Sequence, residues 1–239
     1  MVLAIFVIMV KLSAQEIYNK LVNEYQLIGK TGHIEFVLNN LSVMVDSNDT
    51  VGNLLQSWFI KWLNENEIIS LSNPNPQKFP DFFLDPNDTE NGLLEVKTFN
   101  MKRSPGFDIA NFDSYCNSLK TDAYRLDSDY LIFGYKMNGG LITIENVWLK
   151  KVWEISGPSG PWPVKVQDKR NVIYNLRPVT WYSKRKTFRP FGSKELFLEN
   201  LNETRYQYPQ TRNDNARWLD LVLDNYKKYT DVELIVKRH

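Results

Sequence analysis

The stretch FPDFFLDPNDTENGLLEVKTFN, from Phe79 to Asn100, contains two apolar runs separated by a loop rich in Asn, Asp and Gly. This pattern predicts two short strands joined by a turn. Because side chains alternate between the two faces of a strand, Glu95 and Lys97 should point to one face while their neighbours enter the core. Asp81 begins its strand directly after a proline, which is a common position for a strand start. Pairing of the two strands would therefore place Asp81 beside Glu95 and Lys97.

This cluster has two interpretations. Charged residues at the edge of a β-hairpin are common on solvated surfaces and need no function. Alternatively, two close carboxylates repel each other unless a cation lies between them, and their hard oxygen atoms suit Mg²⁺. A lysine beside the metal could orient or deprotonate a water molecule, while the metal stabilises charge developing on a phosphate. The second interpretation predicts a Mg²⁺ site formed by Asp81 and Glu95, with Lys97 as a catalytic partner.

The composition restricts the possible chemistry. The chain has 239 residues and a net charge of +1, which is enough length for a sizeable core. The single cysteine, Cys116, excludes an intramolecular disulfide and favours a reducing, cytoplasmic setting. The two histidines, His33 and His239, leave little basis for a serine–histidine triad or a multi-histidine zinc site.

The apolar start of the chain, MVLAIFVIMVK, is too short to span a bilayer and lacks the features of a signal peptide. Residues 1–11 therefore form either a buried first strand or an extension that is not native, of which we favour the extension. No other segment is apolar enough to cross a membrane, so we expect no membrane partner.

Helical and strand patterns alternate along the first half of the chain. Ser13 and Glu16 form the capping box that predicts a first helix, and Thr50 is expected to cap a second helix. Between them, HIEFVL and LSVMVD predict two paired strands. After the Asp81 hairpin, FDIANFDSYCNSL predicts a helix that begins near Phe107.

The second half continues the mixed pattern. DYLIFGYKM and LITIENVWL predict strands that are joined at an Asn-Gly-Gly turn, and two helical patterns close the chain. Residues 156–192 are rich in Gly, Pro and Trp and predict an excursion with short strands. We therefore predict a single mixed α/β domain over residues 1–239, in which helices flank a mixed β-sheet.

A proline and an aspartate, thirteen intervening residues, and then Glu95-x-Lys97 resemble the signature of the PD-(D/E)xK nuclease superfamily. The preceding and following helices are also arranged as in that superfamily, which implies a restriction-endonuclease-like core. The superfamily often has an acidic residue on the preceding helix, where this chain has Gln56. A glutamine could still hold a water molecule at such a site, so Gln56 is a further candidate catalytic residue.

A wider resemblance covers roughly residues 13–180. The combination of FPDFFL, LLEVKTFN, SPGFDIANFDSYC, DYLIFGY, VWLKKVWEI and RNVIYNLRP is similar to one group of type II restriction endonucleases. The resemblance implies Mg²⁺-dependent cleavage of double-stranded DNA at a short palindrome, GGNNCC, by a homodimer with a cognate methyltransferase. It leaves open the cut position, the number of metals and the dimer interface.

Two alternatives stay open at this point. One is a repair or junction-resolving nuclease with the same core. The other is a binding module without catalysis that recognises DNA or a carbohydrate. The carbohydrate alternative depends on tryptophans that could form a binding platform, although core packing explains them better. These tryptophans are Trp148, Trp153, Trp162 and Trp181.

A basic segment lies between Lys165 and Arg189, where eight Lys and Arg residues are opposed only by Asp168. In a chain of near-zero net charge, this clustering and its interleaved aromatic residues predict a local DNA-binding surface, although a solvated loop would also carry such charge. A second basic cluster directly follows the Glu95 strand, near the expected position of the scissile phosphate. The predicted DNA-binding residues are Lys102, Arg103, Lys165, Lys169, Arg170, Arg177, Lys184 and Arg185.

Overall fold

A computed structural model describes residues 9–184 and 187–237 of the protein. The chain divides into two compact units. The first unit comprises residues up to 102 together with 129–149, and the second unit comprises residues 103–128 together with 150–239. Whether the two units act as a single domain stays a prediction. In the parts of the chain that the structure describes, no helix is long and apolar enough to span a membrane.

The described residues form strands and helices throughout both units. The strands are β1 Thr31–His33, β2 Glu35–Leu38, β3 Leu41–Met44, β4 Leu71–Ser72, β5 Phe82–Phe83, β6 Leu93–Asn100, β7 Ala110–Asn111, β8 Asp129–Asn138, β9 Leu141–Lys151, β10 Val166–Lys169 and β11 Val172–Leu176. The α-helices are α1 Ala14–Asn19, α2 Asn48–Glu65, α3 Phe112–Ser118, α4 Val152–Ile155, α5 Lys194–Gln207 and α6 Asn215–Thr230. A π-helical turn at Lys20–Glu24 continues α1, and 3₁₀ turns occupy Ala123–Asp127 and Arg212–Asp214.

The first unit is built on a six-stranded mixed sheet with the strand order β1-β9-β8-β6-β5-β4. Strands β6 and β8 are parallel, whereas β5 pairs antiparallel with β6 and places Phe82 opposite Leu94. The predicted pairing of the two apolar runs is thus confirmed. Strand β6 lies inside the sheet, so backbone hydrogen bonds hold it on both sides.

Helix α2 packs closely against one face of β6. A Cβ atom added to Gly52 would lie 3.2 Å from the Thr98 hydroxyl oxygen, so the small residue permits the close approach. Leu94 is completely buried on the same face. Because side chains alternate along a strand, Glu95 and Lys97 point to the opposite face.

The second unit contains the three-stranded sheet β10-β11-β7 and the helices α3, α5 and α6. Its core includes Cys116, which is fully buried. The Trp218 indole N–H donates to the Cys116 carbonyl at 2.6 Å, and the Ala123 N–H donates to the Asn225 side chain at 2.7 Å. These bonds join α6 to α3 and to the turn that precedes β8.

Several local predictions are confirmed, but two helix starts are wrong. The Ser13–Glu16 capping box is present. Helix α2 begins at Asn48 rather than after Thr50. Helix α3 begins at Phe112 rather than near Phe107, because Ala110–Asn111 pairs with β11 and the Asn111 side chain caps the helix. A helical hydrophobic period continues upstream of α3, which is why the sequence pattern did not reveal the short strand.

The predicted N-terminal extension lies mostly outside the described residues. Its described end is attached to the first unit, because Val10 forms a parallel β-bridge with Ile68. The Val10 N–H donates to the Glu67 carbonyl at 2.7 Å, and the Ile69 N–H donates to the Val10 carbonyl at 2.9 Å.

Candidate active site

Asp81 and Glu95 are held side by side by hydrogen bonds between the chain segments of β5 and β6. The Asp81 backbone N–H donates to Glu95 Oε2 at 3.2 Å. In return, the Val96 backbone N–H donates to Asp81 Oδ2 at 2.8 Å. One oxygen atom of each carboxylate therefore accepts a hydrogen bond from the backbone of the other segment. These backbone donors hold both carboxylates in place.

Lys97 completes the cluster. Its Nζ lies 2.7 Å from Glu95 Oε1, and the two residues are two positions apart on the same face of β6. The structure therefore brings together the three residues that the sequence predicted as neighbours. We name Asp81, Glu95 and Lys97 the carboxylate–lysine cluster.

The cluster is more deeply buried than the sequence indicated, since only 8% of Glu95 is exposed. Burial raises the pKa of Glu95, the Lys97 ammonium lowers it, and the neighbouring Asp81 carboxylate raises it again. The net direction is upward, because removal of a carboxylate from water disfavours its charged form. Ionisation of Glu95 therefore destabilises the folded protein when no cation is bound. A bound cation would offset this destabilisation.

The first prediction concerns this cost. We expect Glu95→Gln to raise the melting temperature of the metal-free protein at neutral pH, because the neutral amide removes a buried charge. A gain of about 1 kcal/mol would correspond to roughly 2–4 °C for a chain of this size. Since the folded-state pKa of Glu95 is raised, the parent loses stability as the pH rises through that pKa. The difference in melting temperature between Glu95→Gln and the parent should therefore disappear at acidic pH, where Glu95 is protonated in both the folded and the unfolded parent.

Melting curves of the parent and Glu95→Gln in EDTA, recorded from acidic to neutral pH, test this expectation. Glu90→Gln is the matched control, because Glu90 is exposed in the loop between β5 and β6. A Glu95→Gln protein that is less stable than its parent at neutral pH would show that the Lys97 ion pair outweighs the burial of the charge.

The donor set fits a small divalent cation. Among the described residues, no group of three or more His, Cys, Asp or Glu side chains could hold a metal ion. The cluster offers two carboxylates, and Mg²⁺ usually binds one or two carboxylates while keeping water or phosphate oxygens as its other ligands. Asp81 and Glu95 therefore suit Mg²⁺ better than a metal that needs a full set of protein ligands.

Gln56 is not brought to the cluster. It is half-buried on α2, and the described contacts include no hydrogen bond between its side chain and the cluster. Helix α2 packs on the face of β6 opposite to Glu95 and Lys97, as the contact between Gly52 and Thr98 indicates. A catalytic role of Gln56 stays a prediction without a contact to support it.

The predicted DNA-binding residues fall into different environments. In the first unit, Lys102 Nζ donates to the Met137 carbonyl at 2.8 Å. In the second unit, Lys165 Nζ donates to the Pro178 carbonyl at 2.9 Å, and burial together with the nearby Arg177 lowers the pKa of Lys165. Both ammonium groups therefore have structural partners.

Arg177 is the most firmly attached of the predicted DNA-binding residues. Its Nε lies 2.9 Å from Asp108 Oδ1, and its other nitrogens donate to the Gly106 carbonyl and the Gln167 side chain. The sequence did not predict the role of Asp108, and no local signal could have revealed it, because the two partners are far apart in the chain.

The remaining basic residues are more accessible. Lys169 and Arg170 lie at the tip of the β10–β11 hairpin, where Arg170 and Asn171 form the two-residue loop with φ values of 54° and 64°. Two consecutive positive φ values are typical of the tight turns that join hairpins, and Asn tolerates this conformation. The exposed members of this remaining group are Arg103, Lys169, Arg170 and Lys184. Arg185 lies outside the described residues.

The fold is that of a type II restriction endonuclease, a site-specific deoxyribonuclease. The structure matches the solved NlaIV restriction endonuclease with a TM-score of 0.91 and 40% sequence identity, covering 96% of this chain and 94% of the other. The chain belongs to the NgoBV restriction endonuclease family, whose sequence model matches residues 11–239.

Two relatives agree with this assignment. The chain is 41% identical to the type II restriction enzyme NlaIV of Neisseria lactamica over 232 residues, which is 96% of both chains. It is 39% identical to the type II restriction enzyme NgoBV of Neisseria gonorrhoeae over 166 residues, which is 68% of this chain and 93% of the relative. The predicted fold class and enzyme class are confirmed, and the repair-nuclease and binding-module alternatives are left without support.

Proposed function

We propose that this enzyme hydrolyses DNA with Mg²⁺ at the carboxylate–lysine cluster, and that GGNNCC is its palindromic site. The observation that carries the cleavage proposal is the reciprocal pair of hydrogen bonds that holds Asp81 and Glu95 together, with Lys97 2.7 Å away. The sequence resemblance supports GGNNCC as the first site to test.

Each member of the cluster has a defined part in the proposed reaction. When bound, Mg²⁺ supplies positive charge that stabilises the charge developing on the scissile phosphate. The Asp81 and Glu95 carboxylates provide the anionic oxygens for it, and their backbone hydrogen bonds fix the geometry in advance. The Lys97 ammonium can donate a hydrogen bond to a water molecule and orient it towards phosphorus. The water oxygen would form the new bond to phosphorus while the bond from phosphorus to the leaving sugar oxygen breaks. The water would release a proton to solvent, and the leaving oxygen would take one up from solvent.

A plasmid digest with Mg²⁺ tests this proposal. A plasmid that contains GGNNCC sites should give discrete fragments of the predicted lengths, whereas a plasmid without them should stay intact. A digest that yields fragments unrelated to GGNNCC would retain the nuclease but contradict the site. Undiminished cutting in EDTA would contradict the metal-dependent mechanism.

The second prediction is that Ca²⁺ supports DNA binding but not cleavage. Ca²⁺ should occupy the two carboxylates and relieve their repulsion, yet it holds oxygen ligands at longer distances and in a looser geometry than Mg²⁺. A gel-shift titration with a cognate duplex, followed by addition of Mg²⁺ to start cleavage, measures both effects. Efficient cutting in Ca²⁺ alone would show that strict octahedral geometry is unnecessary.

We further propose that the tip of the β10–β11 hairpin contacts DNA. Lys169 and Arg170 are exposed there, and no ion pair among the described residues involves either of them. Arginine can contact guanine edges in the major groove with two hydrogen bonds, while lysine interacts with phosphates. Arg177 instead supports the unit through Asp108, so the two arginines should not behave alike.

The third prediction separates these two arginines. Arg170→Asn should weaken DNA binding without loss of stability, since asparagine tolerates the positive φ at this turn. A base contact would cost about 1–3 kcal/mol of discrimination between cognate and non-cognate duplexes. Arg177→Ala should mainly lower the melting temperature, because it leaves Asp108 without its partner.

Fluorescence anisotropy with cognate and non-cognate duplexes, over a range of salt concentrations, distinguishes the types of contact. Loss of a phosphate contact would weaken both duplexes and flatten the salt dependence. Arg217→Ala, an exposed position on α6, is the control for a general loss of positive charge. If Arg170→Asn binds both duplexes like the parent, DNA recognition does not involve the hairpin tip.

Two of the four candidate tryptophans pack within the units rather than forming an open platform. Trp148 stacks on Phe99 with ring centres 5.8 Å apart, and a Cβ atom added to Gly134 would lie 2.7 Å from the Trp148 ring. In the second unit, Trp181 is buried. This packing favours a structural role for both tryptophans over carbohydrate binding.

The proposed partners follow from the enzyme class. A type II restriction enzyme acts on double-stranded DNA, and a palindromic site is most simply recognised by a two-fold dimer. We propose that the chain is a homodimer and that a cognate methyltransferase protects the host DNA at the same site.

A further inference from the structure

The hairpin β2–β3 carries an apolar surface that the rest of the unit leaves open. All eight of its strand residues are exposed. Six of them are large apolar side chains with exposed fractions between 45% and 77%. Four of these six side chains share one face of the hairpin as two cross-strand pairs, and we name these four the hairpin surface: Phe36, Leu38, Leu41 and Val43.

The hairpin is anchored at its base although its strands have no other neighbours. In the part of the chain that the structure describes, β2 and β3 pair only with each other. The Val45 N–H donates to the Ile34 carbonyl at 2.9 Å, and Met44 packs against the turn at Gly140. Isolated two-stranded hairpins are marginally stable in water, so an exposed hairpin of this composition benefits from a further partner.

The charge of the hairpin argues against a nucleic acid or an anionic membrane as that partner. The stretch from Ile34 to Val45 contains no Lys or Arg, and its one charged residue, Glu35, accepts a hydrogen bond from the Ser42 hydroxyl. Nucleic acids and anionic lipids are bound mainly through clustered positive charge. An uncharged apolar surface instead fits the core of a protein–protein interface.

The hairpin surface suits the centre of a dimer interface. The cross-strand pairs Phe36–Val43 and Leu38–Leu41 share one face of the hairpin, and all four side chains are exposed. Soluble monomers rarely leave a large contiguous apolar patch open to water. A standard protein interface buries about 800 Å² on each partner. An apolar groove of about 240 Å³ begins at the hairpin base, where Ile34 lines it together with Tyr25, Leu54 and Trp58 among others.

We propose that a second copy of this chain covers the hairpin surface and that the β2–β3 hairpins meet at the two-fold axis of a homodimer. In a two-fold interface the same patch lies on both partners, so the patch must be complementary to itself. An uncharged apolar surface meets this requirement, because apolar side chains pack against other apolar side chains. Both strands also have an edge that no described strand occupies, so two copies could pair edge to edge. The inference rests on the proposed palindromic site only for its two-fold symmetry.

Sedimentation equilibrium without DNA or metal tests the interface independently of catalysis. The parent should be a dimer at micromolar concentrations. The double substitution Leu38→Glu and Leu41→Glu places charges at paired positions on the hairpin tip and should raise the dimer dissociation constant by roughly 100-fold or more. Ile235→Glu, which changes an exposed apolar residue of the second unit, should leave the dimer intact.

A cysteine cross-link tests the same surface without a destabilising charge. The chain's single native cysteine is fully buried, so Asn40→Cys would introduce one accessible thiol at the hairpin tip. A short bis-maleimide should convert this variant into a covalent dimer, whereas Lys61→Cys, on the exposed side of α2, should stay uncross-linked.

Three outcomes would overturn the proposal: a monomeric parent, a charged-hairpin variant that stays dimeric, or Asn40→Cys that cross-links no better than Lys61→Cys. A monomeric parent that floats with neutral phospholipid vesicles would assign the hairpin surface to a membrane instead. A dimer that dissociates as expected but cuts no DNA would support the interface and contradict the proposed function.

Discussion

Asp81→Asn should reduce the rate of Mg²⁺-dependent DNA cleavage by roughly 10³-fold, the largest effect that we expect from a single substitution. The change removes an anionic oxygen donor from the proposed metal site, and loss of several kcal/mol of charge stabilisation corresponds to a factor of this size. It also weakens the acceptor for the Val96 N–H, which holds the carboxylate in place at 2.8 Å. Calorimetry should show weaker Mg²⁺ binding by the same variant.

Asp85→Asn is a matched control for this experiment. Asp85 lies four positions further along the chain and pairs with Lys11 at 2.6 Å, away from the carboxylate–lysine cluster. We expect it to retain the parent's cleavage rate and Mg²⁺ affinity. If Asp81→Asn cut DNA as fast as Asp85→Asn, the stretch from Phe79 to Asn100 would form only a structural hairpin.

Lys97→Met should slow cleavage by roughly 10²–10³-fold while leaving Mg²⁺ and DNA binding intact, since a group that orients the attacking water contributes about this much. Lys97 provides no anionic oxygen, so its removal takes away a cation next to Glu95 without removing a metal donor. Because Lys97 lowers the pKa of Glu95, metal binding should be measured over a range of pH, which separates a change in Glu95 ionisation from a loss of the metal site.

Single-turnover cleavage together with calorimetric Mg²⁺ titration distinguishes these contributions. Lys136→Met is the control, because Lys136 pairs with Glu145 at 2.6 Å on the neighbouring strands β8 and β9. A Lys97→Met protein that cleaves at the parent's rate would leave the metal site standing and remove the proposed role of the lysine. One that fails to bind Mg²⁺ would assign Lys97 a structural role in placing Glu95.

The proposed cluster could be predicted from the sequence because its geometry is local. Asp81 directly precedes β5, Glu95 and Lys97 lie on the next strand along the chain, β6, and strand alternation alone places Glu95 and Lys97 on one face. The burial of Glu95 could not be predicted in the same way. It depends on the position of β6 inside the sheet, which in turn depends on its parallel pairing with β8, more than thirty residues later in the chain.

The roles of individual residues in the basic segment could not be predicted from the sequence. The composition showed that the segment is positively charged, but it gave no reason to distinguish Arg170 from Arg177. Only the folded second unit separates them, because Arg177 meets Asp108 and the Gly106 carbonyl while Arg170 lies at the hairpin tip. Contacts between distant chain segments leave no pattern in the local sequence.

The sequence by itself determined the paired strands around Asp81 and Glu95 and the β2–β3 hairpin, because each follows from residue order over short distances. The enzyme class was indicated by the resemblance to a known family. Only the tertiary structure decided which of these residues are exposed to solvent and which are buried. Apolar runs such as EFVL and LSVM indicate strands, and a strand pattern of this kind usually predicts burial, yet every residue of these two strands is exposed. Glu95, a charged residue, is buried instead. Exposure is set by which other chain segments cover a side chain, and that is a property of the whole fold rather than of any local sequence.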